Sequence, residues 1–280
     1  LKQRIITALI LAPLVVWGIF SLPLTWFLGF VTGITLIGTW EWTQFTLDRS
    51  RMLAMIPPVV VIAGSLFAIP SDVLSLNQVD TSHLVLLGIG FSWWLIASCL
   101  AMTYPKSSSL WEHSNVLRHL FGILTLLPFL WSIVILRGQG YYLDPYYGSK
   151  LVLFVCLIVW AADSGAYFAG KSFGKRKMAP NVSPNKTIEG LIGGIIAALV
   201  VAWGSSVMFD IQFTSYVSMA IITLATVVIS VLGDLVESMF KRVSKIKDSS
   251  NIIPGHGGVL DRVDSLTAAF PVFALLYLIF

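Results

Sequence analysis

The sequence predicts an all-α, polytopic integral membrane protein with about nine transmembrane helices and its N-terminus in the cytoplasm. Composition is the first observation behind this: 56% of the 280 residues are hydrophobic, 11% are charged and mean hydropathy is +0.85. A soluble domain has roughly 45–50% apolar and about 25% charged residues. Segmentation is the second. A spanning helix needs about 20 mostly apolar residues, and such runs cover 5–22, 24–41, 52–69, 84–104, 118–136, 150–170, 188–209, 215–236 and 265–280. Charge placement is the third. With alternating sides, only Arg137 and Lys150 of the 18 Lys and Arg fall outside, and the other 16 share the side of the N-terminus, as the positive-inside rule requires.

In chain order, the first run is too long and too poorly flanked for a simple cleaved leader, and Pro23 leads straight into the second. Trp40-Glu41-Trp42 closes that second run. Tryptophan suits a membrane interface, so anchoring there is expected, with a direct role for Glu41 as the alternative. Pro57, Pro58 and Pro128 lie inside runs and predict kinks, because proline removes a helix hydrogen bond. His83, His113 and His119 are isolated and expected at surface or interface positions. Cys99 and Cys156 read as packing residues in apolar runs, which leaves no disulfide framework and no cysteine zinc site. Segment 137–149 is turn-rich and aromatic, as an outer interfacial loop would be. The last run is short, so it is expected to be buried against neighbours or to continue past Phe280. Three sections are expected: N-terminal helices in 1–110, middle helices with a basic loop in 111–187, and C-terminal helices carrying the chemistry in 188–280.

Charge concentrates between Ser230 and Ser265, where Asp234, Glu237, Asp248, Asp261 and Asp264 alternate with Lys241, Arg242, Lys245, Lys247, His256 and Arg262. Carboxylates at the edge of hydrocarbon are costly unless a cation, a partner or water compensates them. Asp234, Glu237, Ser238 and Lys241 recur at spacings of three and four and share one helix face. After a loop broken by Pro254 and Gly255, Asp261, Asp264 and Ser265 share a face of the next helix. His256, between two glycines, predicts a backbone that approaches a ligand closely. Two helix tips that present carboxylates suit magnesium, which takes one or two carboxylates together with substrate phosphates. Zinc fits less well, since His256 has no Cys or His at ligand spacing.

Two further runs carry polar chemistry. Asp163 sits late in the sixth apolar run, within Ala162-Asp163-Ser164-Gly165-Ala166-Tyr167. The small residues fit either a helix-packing patch or close approach of a ligand or ion to an intramembrane carboxylate. The basic loop Lys171, Lys175, Arg176, Lys177 then leads to Ser183-Pro184-Asn185-Lys186-Thr187-Ile188-Glu189-Gly190. The loop itself could serve only the charge rule or lipid head groups. Ser183 and Asn185 are expected to cap a helix starting near Thr187, whose free amides would form an anion site, with Lys186 adding a full charge. This is not the P-loop pattern.

The residues Ser238-x-Phe240-Lys241-Arg242-x4-Lys247-Asp248 and Pro254-x-His256-Gly257-Gly258-x-Leu260-Asp261-Arg262-x-Asp264 run unbroken over 27 positions. They are similar to the signature of the phosphatidate cytidylyltransferases, also called CDP-diacylglycerol synthases. The Ala-Asp-Ser-Gly-Ala-Tyr and Ser-Pro-x-Lys-Thr-x-Glu-Gly runs resemble that family too, while the N-terminal half resembles it in hydropathy alone. The resemblance implies transfer of a cytidylyl group from CTP to phosphatidic acid, giving CDP-diacylglycerol and pyrophosphate in phospholipid biosynthesis. It implies Asp234 and Asp261 as metal ligands, magnesium with potassium as a second, monovalent cation, and a homodimer. It also implies a bacterial inner membrane with the active site facing the cytoplasm. Nucleic acid is not an expected partner.

Phosphates that repel one another need neutralisation and in-line positioning more than a general base. Lys241, Arg242, Lys247 and Arg262 are therefore expected to act beside Asp234 and Asp261. The expected substrate contacts are Asp163, Ser183, Asn185, Lys186, Thr187, Glu189, Glu237, Ser238, Asp248, His256, Gly257, Gly258 and Asp264. A transporter is the rival from another class, although it would place its charges near the midplane rather than at one end. A structural scaffold would not need so many acids and bases near one loop. A CTP-dependent lipid kinase is the nearest enzymatic competitor, and its products would differ.

Overall fold

The computed structural model describes the backbone of residues 2–280 and the side chains of residues 9–280. The side chains of Lys2 and Arg4, part of the charge pattern above, lie outside the described residues. The chain is all-α apart from one hairpin: α1 (Lys2–Ser21), α2 (Leu24–Trp42), α3 (Arg51–Ala68), α4 (Val73–Gln78), α5 (Thr81–Met102), α6 (Asn115–Gly138), α7 (Tyr147–Phe173), β1 (Lys177–Ala179), β2 (Ser183–Thr187), α8 (Ile188–Phe209), α9 (Tyr216–Val243) and α10 (Leu260–Ile279). Every expected run falls on a helix. Seven described helices, α3 and α5 to α10, are long and apolar enough to cross a membrane. The short α4 was not expected from hydropathy.

Helix starts follow local chemistry. Ser114, Ser215 and Thr187 each accept a first-turn amide at the starts of α6, α9 and α8, which satisfies donors the helix itself leaves free. Asp80 opens α5 through a reciprocal capping box with His83. This corrects the surface assignment of His83. Its ring is fully buried, Nδ1 accepts from the Asp80 amide at 3.1 Å and Nε2 donates to the Pro70 carbonyl at 2.8 Å. His119 pairs with Asp48 at 2.7 Å, while His113 stays exposed. Pro57, Pro58 and Pro128 sit inside unbroken helices.

The enclosed centre is α6, whose apolar window is 72% buried against 17% for the peripheral α3. In lipid, helices associate through close packing rather than through hydrophobic exclusion from water, and small residues supply the closeness here. A Cβ on Gly165 of α7 would lie 2.6 Å from that of Ala197 on α8, and one on Gly194 would lie 2.7 Å from the Ala162 carbonyl oxygen. Gly233 of α9 meets Ala268 of α10 in the same way, at 2.6 Å, so Asp234 and Asp264 come to one seam. Further along α9, the Phe240 ring lies tilted against those of Trp42 (4.9 Å) and Trp111 (4.8 Å), pairs that contribute about 0.5–1.5 kcal/mol each beyond their area. Trp42 is thus a core residue, only 5% exposed, and its indole donates to the Arg118 carbonyl. The interfacial role expected for it is replaced by packing against α9. Trp40 keeps a rim position, with the Arg51 guanidinium 4.2 Å over its ring.

Candidate active site

The charged ends of α7, α8, α9 and α10 enclose a cavity of about 490 Å³ lined by Asp163, Lys186, Thr187, Asp234, Lys241, Asp248, Asp261, Arg262, Asp264 and Ser265, with Tyr167, Met178 and Leu191 on its apolar side. Helical spacing puts these groups there. Asp234, Ser238 and Lys241 are successive turns of α9, and the Ser238 hydroxyl leans back on Asp234 at 3.3 Å. Asp261, Asp264 and Ser265 form the first turns of α10.

Asp261 is the most constrained of the acids that line the cavity. Its Oδ2 accepts from the Ser249 amide (2.8 Å), the Ser249 hydroxyl (3.0 Å) and the Gly258 amide (2.8 Å). Its Oδ1 accepts from Lys241 at 2.9 Å. Lys241 also pairs with Glu237 one turn back, at 3.0 Å, so the ammonium bridges two buried carboxylates. Paired in this way, buried charges avoid the several kcal/mol each would otherwise cost. Asp234 is held more loosely. Lys186 reaches across from β2 to its Oδ2 at 2.7 Å and to the Val231 carbonyl at 3.0 Å. The Asp163 carboxylate lines the cavity and forms no hydrogen bond or ion pair with another described residue. The Asp264 carboxylate accepts from the amide of its neighbour Ser265, while its carbonyl accepts from the Thr267 hydroxyl.

Some expected residues do other work. Ser183 and Asn185 do not cap α8. They lie in β2, which pairs antiparallel with β1, and Thr187 is the cap, with its hydroxyl accepting from the Gly190 amide at 3.1 Å. Extended backbone points alternate side chains to opposite faces, so Lys186 reaches the cavity and Asn185 points away. Glu189 accepts from the Lys175 and Arg176 amides and thereby fixes the loop after α7. Arg242 donates to the Val182 carbonyl at 3.2 Å, which ties the hairpin to α9. Arg242 and exposed Lys247 both lie off the cavity wall. The two glycines that follow His256 face protein: a Cβ on Gly257 (φ +85°) would lie 2.6 Å from Asp261 Oδ2, and one on Gly258 2.5 Å from Glu41 Oε1. His256 itself bonds through its amide to Ile253.

Sequence reading undervalued Glu41. The carboxylate is fully buried and accepts from the Val259 amide (2.9 Å), the Leu260 amide (2.6 Å) and the hydroxyls of Ser249 and Ser250. Its only signal in the sequence was an acid at the end of an apolar run.

A hard cation fits the donor set. Asp234 and Asp261 line one cavity with Asp163 and Asp264, and all offer oxygen. No three acid, His or Cys side chains converge as a ready-made cage among the described residues. Magnesium needs only one or two carboxylates when phosphates complete its shell. The lysines on Asp234 and Asp261 supply the positive charge that such a cation would bring.

A family model described as "Cytidylyltransferase family" matches residues 2–280. The phosphatidate cytidylyltransferase of Haemophilus influenzae is 44% identical over 99% of this chain and 98% of its own length. That of Pseudomonas aeruginosa is 41% identical over 99% and 96%. That of Bacillus subtilis is 48% identical across 48% of this chain and 49% of its own. With the match running through every helix that builds the cavity, the chain belongs to the cytidylyltransferase family.

Proposed function

We propose that this membrane protein transfers the cytidylyl group of CTP to phosphatidic acid, forming CDP-diacylglycerol and releasing pyrophosphate. The observation that carries the reading is the cavity itself: acids, lysines and Arg262 gathered at one end of apolar helices, with Tyr167, Met178 and Leu191 alongside. A water-soluble triphosphate and a lipid phosphate can both reach such a place.

The attacking group is the phosphate of phosphatidate. Its second pKa is near 6, so it is largely a dianion at neutral pH and no general base is needed. One of its oxygens bonds to the α-phosphorus of CTP while the bond to the β-phosphate oxygen breaks, and the electron pair leaves with pyrophosphate. The barrier is charge repulsion, which preorganised cations lower most effectively. Arg262, exposed and making no ion pair with another described residue, is free to meet a phosphate. Lys186 and Lys241 border the same space; Lys186 can shift from carboxylate to phosphate as the substrates enter, while Lys241, bridged between Glu237 and Asp261, adds fixed positive charge.

Magnesium, with potassium as the second cation, completes the proposal. Asp234 and Asp261 would hold it, and it would neutralise triphosphate charge. Removing divalent ions with a chelator is expected to stop turnover, and added magnesium to restore it; full activity in excess chelator would exclude the metal. The loops 174–187 and 244–259 would face the cytoplasm of a bacterial inner membrane, where CTP is made, in keeping with the basic residues on that side.

Product analysis decides the reading. Purified protein in detergent, given labelled CTP, magnesium and phosphatidic acid, is expected to yield a CDP-lipid and pyrophosphate in equal amounts. A phosphorylated lipid with free CDP would assign it instead as a lipid kinase.

A further inference from the structure

The N-terminal half contributes a buried carboxylate to the catalytic end, and it lies behind the cavity wall. Glu41, at the end of α2, takes the first two amides of the α10 segment, from Val259 and Leu260, and the hydroxyls of Ser249 and Ser250. Gln44, one turn on, donates to the Ser249 carbonyl. The end of α2 therefore clasps both sides of the loop that places Asp261. The Ser249 hydroxyl has one proton and two carboxylates in reach, Glu41 at 3.2 Å and Asp261 at 3.0 Å. Gly258 is squeezed between Glu41 and Ser249, so the Gly-Gly of the signature answers to a residue about 200 positions earlier.

A buried carboxylate is an expensive way to hold a loop. What it gains here is direction. Its oxygens accept at the positive end of the α10 dipole, and they take up amides that would otherwise attract a phosphate. Incoming phosphate is thereby left to the lysines, Arg262 and whatever Asp261 holds. We infer that Glu41 is a positioning residue for Asp261, acting through Ser249 and the first turn of α10 while touching no substrate itself. The inference rests on the cytidylyltransferase reading for its activity test.

The test uses the full chain purified in detergent. Glu41→Gln places an amide N–H against one of the backbone donors, and kcat is expected to fall by about 10–100-fold, the loss of one or two charge-assisted hydrogen bonds. The KM for phosphatidate should stay within about twofold, because Glu41 is not on the cavity wall. Glu41→Asp should recover part of the rate. The thermal stabilisation conferred by CTP with magnesium supplies a second readout. Its loss in Glu41→Gln should not add to the loss in Asp261→Asn when the two are combined, since coupled residues are non-additive. Wild-type kcat in Glu41→Gln, or fully additive losses, would overturn the inference. If Glu41→Gln cannot be purified folded, Ser250→Ala decides. It removes one bond to Glu41 and none to Asp261, so an unchanged kcat would sink the idea and a threefold to fivefold loss at normal melting temperature would support it. If the wild type makes no CDP-lipid, the functional reading fails, and the same double-mutant cycle on melting temperatures without ligand still tests the coupling.

Discussion

The two walls of the cavity are built on different principles. On the α10 wall, Asp261 has every oxygen engaged by fixed groups: two backbone amides, one serine and a lysine that is itself bridged to Glu237. Behind it, Glu41 fastens the same loop to α2. The opposite wall, from α7, the hairpin and α8, carries Asp163 without a described partner and Lys186 at the end of a long flexible side chain. Its backbone is rigid, because Gly165, Gly193 and Gly194 let α7 and α8 approach to van der Waals contact. Its charges are not. One wall fixes an anionic reference point, and the other can rearrange as phosphates arrive. Such a division suits a reaction that must accept two mutually repelling anions in turn.

The comparison breaks most severely at Asp261. Asparagine there puts an amide nitrogen where Oδ2 receives three donors or where Oδ1 receives Lys241, and it leaves that lysine and Glu237 with a changed charge balance. Turnover of Asp261→Asn is expected to fall by at least about 10³-fold, the scale seen when a preorganised electrostatic group is removed. Insertion and detergent extraction should remain normal, because the close helix contacts between Gly165 and Ala197 and between Gly233 and Ala268 are untouched. CDP-lipid formation by the purified variant is the measurement, and an output within tenfold of wild type would mean that the α10 wall is not the reference point.

How much of this was legible in the sequence differs between the walls for physical reasons. Periodicity placed Asp234, Glu237, Ser238 and Lys241 on one face of α9 and Asp261, Asp264 and Ser265 on one face of α10, and the cavity wall contains all of them except Glu237 and Ser238. Helical spacing is local, so local residues reveal it. The hairpin was misread as a capping segment, because Ser183 and Asn185 are good caps wherever a helix begins and nothing local says that the chain stays extended until Thr187. Trp42, His83 and Glu41 were misjudged for a different reason. Their roles depend on partners 76, 13 and 218 residues away, and an aromatic or an acid at the end of an apolar run has the same pattern whether it meets lipid head groups or another helix. Arg242 and Lys247 show the converse: proximity in the signature does not place a base in the cavity.

The compliant wall is tested at Lys186. Alanine removes the ion pair with Asp234 and the bond to Val231 but leaves the wall's backbone intact. A smaller effect is expected than at Asp261: KM for CTP rising about threefold to tenfold, in the range of one partly exposed charge contact, with kcat less affected. Arginine at 186 should restore less than its charge suggests, since its planar fork does not reproduce a compact ammonium. A Lys186→Ala variant that loses as much as Asp261→Asn would show that both walls are fixed, and the contrast between them would fail.

The smallest effect separates the wall's scaffold from its charges. Thr187 caps α8 through its hydroxyl and packs its side chain against the end of α7, where a Cβ on Gly174 would lie 2.9 Å from the Thr187 hydroxyl oxygen and 3.0 Å from its methyl. Thr187→Ala loses both contacts and is expected to destabilise the folded protein by about 1 kcal/mol. Thr187→Ser keeps the cap and loses only the methyl, so most of that stability should return. Thermal unfolding in detergent gives the comparison, and kcat should follow stability only weakly in both variants. If Thr187→Ser instead matched alanine in stability, the methyl contact with α7 would be the significant one. The hairpin would then be held by packing between helices and not by the start of α8.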